Sequence, residues 1–290
     1  MKILLLGSTG QVGFELHRAL APLGDITAPL RNELDLMDAK AVDLFLWSLR
    51  PDLIVNAAAW TAVDKAETLK DEASRLNAGL PAQLATYAAA NTIRLIHYSS
   101  DYVYAGNGIS PWHETSPTGP LSCYGRTKLA GDQAIEASGA DFLIFRTSWV
   151  YSARGNNFMK TMLRLGAEKT SLNIVSDQIG SPTPARLIAQ ITTLAVSHSI
   201  GTGIYHIAPR GHTSWHGFAE AIFANAKAAG QSLLLHSENI KAISTAEYPT
   251  PAMRPLNSRL DLNKLEQSLN IHLPSWESQL ELTLTEYLEK

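Results

Sequence analysis

The segment YGRTKLAG sets Tyr124 and Lys128 four residues apart in a stretch of helical character. Residues at that spacing share one helix face, about one turn apart. A phenol can give its proton to a carbonyl oxygen as a hydride reaches the carbon, and a neighbouring cation favours the phenolate left behind. On an isolated surface helix such a pair does nothing. Ser100 changes this, because its hydroxyl follows the run 94–99 and can hydrogen-bond the same oxygen opposite the tyrosine. Where that run is a parallel strand, Ser99, Ser100 and Asp101 stand at its carboxyl end, the ligand-binding end of an open α/β sheet. Tyr124, Lys128 and Ser100 are the candidate catalytic residues.

Positioning them requires strands alternating with helices. Runs at 3–6, 53–55, 94–99 and 142–145 have the length and apolar content of buried strands. Val12, Leu16, Ala19 and Leu20 fall on one helical face, as do Val42, Phe45, Leu46 and Leu49 in a second helix over 39–50 that Pro51 ends. A third helical region, 71–91, is expected to break near Gly79-Leu80-Pro81, and another helix covers 124–137. The alternation predicts an α/β fold, a Rossmann-like doubly wound parallel sheet. Beyond Tyr151, Pro182, Pro184, Pro249, Pro251 and Pro255 punctuate shorter elements, with a helix at 215–229. The expected division is a nucleotide-binding domain over 1–150 and a mainly substrate-binding lobe over 151–290, some of whose segments return to the first domain.

GSTGQVG places Gly7, Gly10 and Gly13 between the first strand and the first helix. One glycine permits the turn, one admits a pyrophosphate to the backbone, and one lets the helix pack on the sheet. In DITAPLRNELDL no acidic residue stands at or beside Leu30, the position at the end of the second strand where a carboxylate would favour the free ribose hydroxyl of NAD. Arg31 stands there and can pair with the 2′-phosphate of NADP, while Asp35 and Leu36 can bracket the adenine. NADPH is the expected cofactor, with NADH the alternative.

Composition excludes other classes. The 290 residues are 45% hydrophobic and 18% charged with net charge −3, and Lys and Arg are scattered, so no nucleic-acid partner is expected. The single cysteine, Cys123, rules out an internal disulfide and suits a reducing compartment. No apolar run approaches the ~20 residues of a membrane span, and the run in MKILLLG is too short for an export signal. A cytoplasmic protein is expected. His206, His212 and His216 have suggestive spacing but no accompanying ligand set, so no metal site is expected there.

Six blocks in order carry a resemblance: NAAAWTAVDKAE (56–67), HYSSDYVY (97–104), PLSCYGRTKLAG (120–131), FRTSWVY (145–151), GNNFMKTML (155–163) and TPAMRPLNSRL (250–260). With the glycine turn they make the chain similar, nearly end to end, to the extended short-chain dehydrogenase/reductase family. Within it, the resemblance is to the branch that reduces the C4 ketone of dTDP-4-dehydro-6-deoxy-L-mannose, the last step of dTDP-L-rhamnose synthesis. The resemblance implies that Tyr124 is the acid, Lys128 its tuner and Ser100 the hydroxyl partner. It implies that Gly10, Gln11 and Val12 hold the pyrophosphate and that Ala59, Trp60, Thr61 and Tyr98 line the cofactor site. Ser100 and Asp101 would touch the sugar and Trp149 would pack against it. Asn156, Asn157 and Arg254 would recognise the nucleotide diphosphate.

Departures from the family pattern bear on the alternatives. Dehydratases of the family carry Asp-Glu after the Ser/Thr, whereas Tyr102 follows Asp101 here, which argues against dehydration. Another nucleotide-sugar enzyme of the family, a 4-epimerase or a different 4-ketoreductase, and a non-catalytic regulatory subunit on the same fold remain the other readings. The family also implies magnesium at a homodimer contact. Glu15 is available for it, with Glu286 and Glu289 in the tail, but Arg186 and Gln190 stand where acidic residues would serve.

Overall fold

The computed structural model describes residues 1–289. Six strands form one sheet: β1 (Lys2–Leu6), β2 (Asp25–Thr27), β3 (Leu53–Asn56), β4 (Arg94–Ser100), β5 (Asp141–Thr147) and β6 (Gly203–Ile207). Their order is β6-β5-β4-β3-β1-β2, and every pairing is parallel. The strands are apolar on both faces because both faces are covered. Ile3, Leu5, Val55 and Ile96 point to one core, and Leu4, Leu6, Ile54 and Leu95 to the other.

The first core lies beneath the helices Gln11–Ala19 and Ala185–Ser197, through Leu16, Ile188 and Ile191. The second lies beneath Ala39–Leu49, Leu80–Asn91 and Cys123–Ala137, through Leu46, Leu84 and Ile135. From β1 the chain winds outward to β2, then returns to place β3 on the other side of β1. That reversal opens a crevice at the carboxyl ends of β1 and β3.

The break expected near Gly79-Leu80-Pro81 does not occur. Helical backbone runs from Lys70–Ser74 through a π-helical turn, Arg75–Gly79, into Leu80–Asn91. Pro81 lies in the first turn of the last segment, and the wider turn ahead of it shifts the hydrogen-bond register so that its missing N–H breaks no ladder.

After β5 the chain builds a second lobe around Tyr151, Met159, Phe218 and Leu280, covered by the helices Phe158–Glu168, Trp215–Ala228 and Trp276–Leu288. Ile179–Gly180 pairs with Thr213–Ser214 and with Asn257–Ser258, and Leu172–Val175 with Ile240–Ile243. Strand β6 and the helices Ala185–Ser197 and Asn263–Leu269 pack in the core of the main sheet instead.

Arg186 sits between two carboxylates, 3.3 Å from Glu15 and 2.8 Å from Glu286. A guanidinium thus ties the first helix to the last where the resemblance implies a metal. Among the described residues no group of three or more His, Cys, Asp or Glu is placed to hold an ion. His206 is buried in hydrogen bonds to Tyr104 and the Asp261 carbonyl, and His216 pairs with Glu220.

Gly7 adopts φ +79°, and a Cβ there would fall 2.6 Å from the backbone of Ala58. A Cβ at Gly13 would run into the Gly7 carbonyl. Gly13→Ala is therefore expected to cost about 1–3 kcal/mol of stability, as overpacking against backbone does; urea unfolding measures it.

Candidate active site

Strand β4 ends at Ser100 beside the N-terminus of the helix Cys123–Ala137, which Ser122 caps by accepting a hydrogen bond from the Gly125 N–H. Tyr124 lies in the first turn of that helix, its ring edge-on to Tyr102 with centroids 5.3 Å apart. Burial pushes its phenol up to about 12, with the adjacent Ser100 hydroxyl opposing and Asp101 and Asp132 reinforcing the rise. The sequence expectation had Lys128 lowering this value. Here it does not, because the ammonium is turned to β4: Lys128 Nζ donates to the Tyr98 carbonyl at 2.6 Å and lies 3.2 Å from His97 Nε2.

Lys128 is 1% exposed. Burial pushes it down to about 8, against the pull of Asp132 one turn further along the helix. Asp132 is itself fully buried, held by Ser99 Oγ at 2.9 Å and Arg146 Nε at 3.0 Å. The β4–β5 register sets Ser99 opposite Arg146, so both reach the same carboxylate. Arg146 also donates to Tyr104, whose hydroxyl meets His206.

Ser100 Oγ donates to Asp101 Oδ1 at 3.0 Å and accepts from the Tyr102 N–H. Asp101 is 2% exposed, and burial raises its carboxyl to about 6. Ser258 stands next to it and opposes that rise, although among the described residues Asp101 Oδ2 and Ser258 Oγ make no well-formed hydrogen bond. Arg254 is anchored by Asp64 at 2.7 Å, and its other terminal nitrogen is buried and unpartnered. Unsatisfied buried polar atoms are costly. Asp101 and Arg254 both act on Tyr102, whose ring packs on Tyr124, and with Ser258 they suit a polyhydroxylated, anionic ligand.

At the crevice between β1 and β3 the glycine turn meets the Ala57–Ala58 backbone. Gly7 and Gly13 are required by the protein's own packing. A Cβ at Gly10 would have only the Gly7 carbonyl nearby, at 3.3 Å, and the first turn of Gln11–Ala19 has no side-chain cap. Its free N–H groups suit a pyrophosphate. Val12 packs against the core, and Gln11 Oε1 accepts from Ser152 Oγ and Asn157 Nδ2, at 3.2 and 2.8 Å. Arg31 and Asp35 are exposed beyond β2, the Asp35 carboxylate capping the Met37 N–H, and Leu36 packs partly into the core. Ala59 and Trp60 line the β3 loop with Thr61 exposed, and Trp60 is fixed by two hydrogen bonds to Asn77.

Three placements differ from expectation. The Tyr98 side chain enters the core and bonds Thr192, so its carbonyl, through Lys128, is what it offers the site. The Asn157 side chain caps Phe158–Glu168 and holds Gln11, leaving it no free group for a diphosphate; Asn156 beside it is exposed. Trp149 has a left-handed backbone, φ +49°, and stacks on Trp215 at 3.7 Å, so one face of its ring is already covered. A bulky residue held at positive φ is a strained feature that clusters at functional sites. Sequence reasoning missed His97, Asn77, Asp132, Arg146, Trp215 and Ser258. Polar residues inside otherwise apolar strands, and Asp132 four residues after Lys128, were the available signals.

Residues 1–289 match the family model described as the RmlD substrate binding domain. The chain is 46% identical to dTDP-4-dehydrorhamnose reductases of Salmonella typhimurium and Escherichia coli, over 99% of this chain and 98% of each relative. The chain belongs to the dTDP-4-dehydrorhamnose reductase family. Its fold matches a solved family member from Bacillus anthracis in complex with NADP, 33% identical, with TM-score 0.91 and coverage of 98% and 99%. A member from Clostridium acetobutylicum, 32% identical, gives 0.92 over the whole of both chains.

The raised Asp101 carboxyl has a consequence for a dTDP-4-dehydrorhamnose reductase family member with this corner. Its contribution to stability is complete below about pH 4 and is lost as pH rises through about 6, since folding disfavours the ionised form. Asp101→Asn is expected to raise unfolding stability at pH 8 by about 1–3 kcal/mol. The gain should vanish by pH 4, which paired urea titrations check.

Proposed function

We propose that this protein reduces the C4 ketone of dTDP-4-dehydro-6-deoxy-L-mannose to dTDP-L-rhamnose with NADPH. One observation carries the reading: a phenol, a serine hydroxyl and a buried lysine meet at the carboxyl end of β4, in a chain 46% identical to curated reductases end to end. The bound cofactor would supply the hydride. Tyr124 would give its proton to the C4 oxygen, and Ser100 would hydrogen-bond that oxygen and fix its direction. The high proton affinity of the buried phenol suits an acid that must be protonated at neutral pH. Lys128 keeps the helix seated on β4 through the Tyr98 carbonyl.

Asp101 and Ser258 would take sugar hydroxyls, the Trp149–Trp215 stack would form an apolar wall, and Arg254 would pair with the diphosphate. Gly10, Gln11 and the open helix N-terminus would carry the cofactor pyrophosphate, and Arg31 the 2′-phosphate. The reading takes residues 1–150 as mainly cofactor-binding and 151–290 as mainly substrate-binding. It includes a cytoplasmic location and a homodimer; among the described residues no helix is long and apolar enough to cross a membrane. Tyr102, packed edge-on to Tyr124, occupies the position where a dehydratase of this fold needs a glutamate.

The test mixes purified protein, NADPH and the 4-keto sugar nucleotide and follows loss of NADPH absorbance and formation of dTDP-L-rhamnose. Tyr124→Phe should lower kcat about 10²–10⁴-fold while still binding NADPH. No turnover by folded, NADPH-binding wild type would overturn the reading. Arg31→Ala should cut the preference for NADPH over NADH about ten- to a hundredfold, the worth of a charge-assisted phosphate contact. An unchanged kcat/KM ratio for the two cofactors would remove Arg31 from the site.

A further inference from the structure

His97 is 1% exposed in the middle of β4, and nothing in the proposed reaction uses it. Both its ring nitrogens face nitrogen. Asn56 Nδ2 lies 3.1 Å from Nδ1, and Lys128 Nζ lies 3.2 Å from Nε2. The Asn56 amide has its orientation fixed, because its Oδ1 accepts the Ala58 N–H at 3.2 Å. Its NH2 group therefore faces the ring, and Nδ1 must accept. A neutral imidazole whose Nδ1 accepts carries its proton on Nε2. That proton points at Lys128.

An ammonium has three donors and no acceptor. With Lys128 charged, N–H meets N–H across the 3.2 Å contact; with His97 charged as well, both of its contacts oppose. Every atom is satisfied in one state alone: Asn56 donates to Nδ1, Nε2–H donates to the lone pair of a neutral Lys128 amine, and the amine donates to the Tyr98 carbonyl at 2.6 Å. We propose that His97 is a positioning residue that stabilises the neutral amine of Lys128 through an Nε2–H···Nζ hydrogen bond. It thereby controls whether the site carries its lysine charge.

Other groups around the ammonium divide between the two states. On the same helix, Asp132 favours the charged form, with Arg146 of β5 behind it drawing off part of that carboxylate, and Tyr124 lies one turn before. From β4 the Tyr98 carbonyl accepts from either form, and from β3 Asn56 acts only through His97. Burial outweighs Asp132 and holds Lys128 down to about 8. His97 itself is kept neutral by burial and by Lys128. The ammonium would thus be a proton donor of ordinary strength near neutral pH, available when a phenolate forms on Tyr124. That use rests on the proposed function; the pairing does not.

The test reads both side chains by NMR in the full chain, independent of turnover. Histidine ring ¹⁵N shifts should show His97 as the Nε2–H tautomer at neutral pH. Lysine ¹³Cε shifts, with Lys128 assigned through Lys128→Met, should show it titrating well below the other lysines. In His97→Leu the Lys128 titration should move up by about one pH unit, the scale of one lost specific partner. Asn56→Asp makes the residue facing Nδ1 an acceptor, so it should switch His97 to the Nδ1–H tautomer and also raise Lys128; it decides the matter if His97→Leu does not fold. An Nδ1–H tautomer in the wild type would overturn the proposal, as would a Lys128 titration that folded His97→Leu leaves in place. A protein with the expected signals and no reductase activity would instead discard the catalytic reading of Lys128.

Discussion

A lysine with almost no exposure is the constraint around which this site is built. Its ammonium loses its hydration, so the chain must surround it with replacement partners, and those partners lie on different elements. The Tyr98 carbonyl ties the helix Cys123–Ala137 to β4. Asp132 then needs Arg146 and Ser99, which draws β5 into the same assembly. Tyr124, at the start of the helix, and Ser100, at the end of the strand, inherit their separation from this clamp. Tyr124 and Ser100 are placed by polar groups buried beneath them.

The crevice between β1 and β3 works by a different economy, close backbone packing. Gly7 and Gly13 let the first helix and the β3 loop approach closely, and that approach leaves Gly10 facing outward with unpaired N–H groups behind it. Asn77 extends the arrangement. It emerges from the π-helical turn and holds Trp60 by both backbone groups while donating to Thr127 on the helix Cys123–Ala137. The β3 loop and the helix of Tyr124 therefore share one buried amide.

Much of this was legible in the chain. Apolar runs announced four of the six strands, because a sheet covered on both faces has no polar face to confuse the reading; the edge strand Gly203–Ile207 went unread. Spacing placed Tyr124 and Lys128 on one helix, and the glycine turn marked the crevice. What stayed hidden was the direction in which side chains point. Lys128 was expected to face the phenol and faces His97; Tyr98 was expected at the cofactor and lies in the core; Asn157 was expected at a phosphate and caps a helix. Each depends on partners distant in sequence, which no local pattern encodes. The helix break at Gly79-Leu80-Pro81 failed for a related reason: proline disrupts a regular ladder, and this ladder is irregular just where proline falls.

Gln11 has a role that extends past the turn it belongs to. Its side-chain oxygen takes hydrogens from Ser152 and Asn157, at the entrance to the second lobe, and Asn157 begins the first helix of that lobe. The glycine turn and the second lobe are thus in contact through this amide. A ligand that shifts Gln11 must shift the lobe or break those bonds. By thermodynamic linkage the effect runs equally in reverse, so whatever energy one ligand adds to or withdraws from the other's binding is returned in the same amount. Cooperativity between the turn and the second lobe then becomes a property carried by a single glutamine.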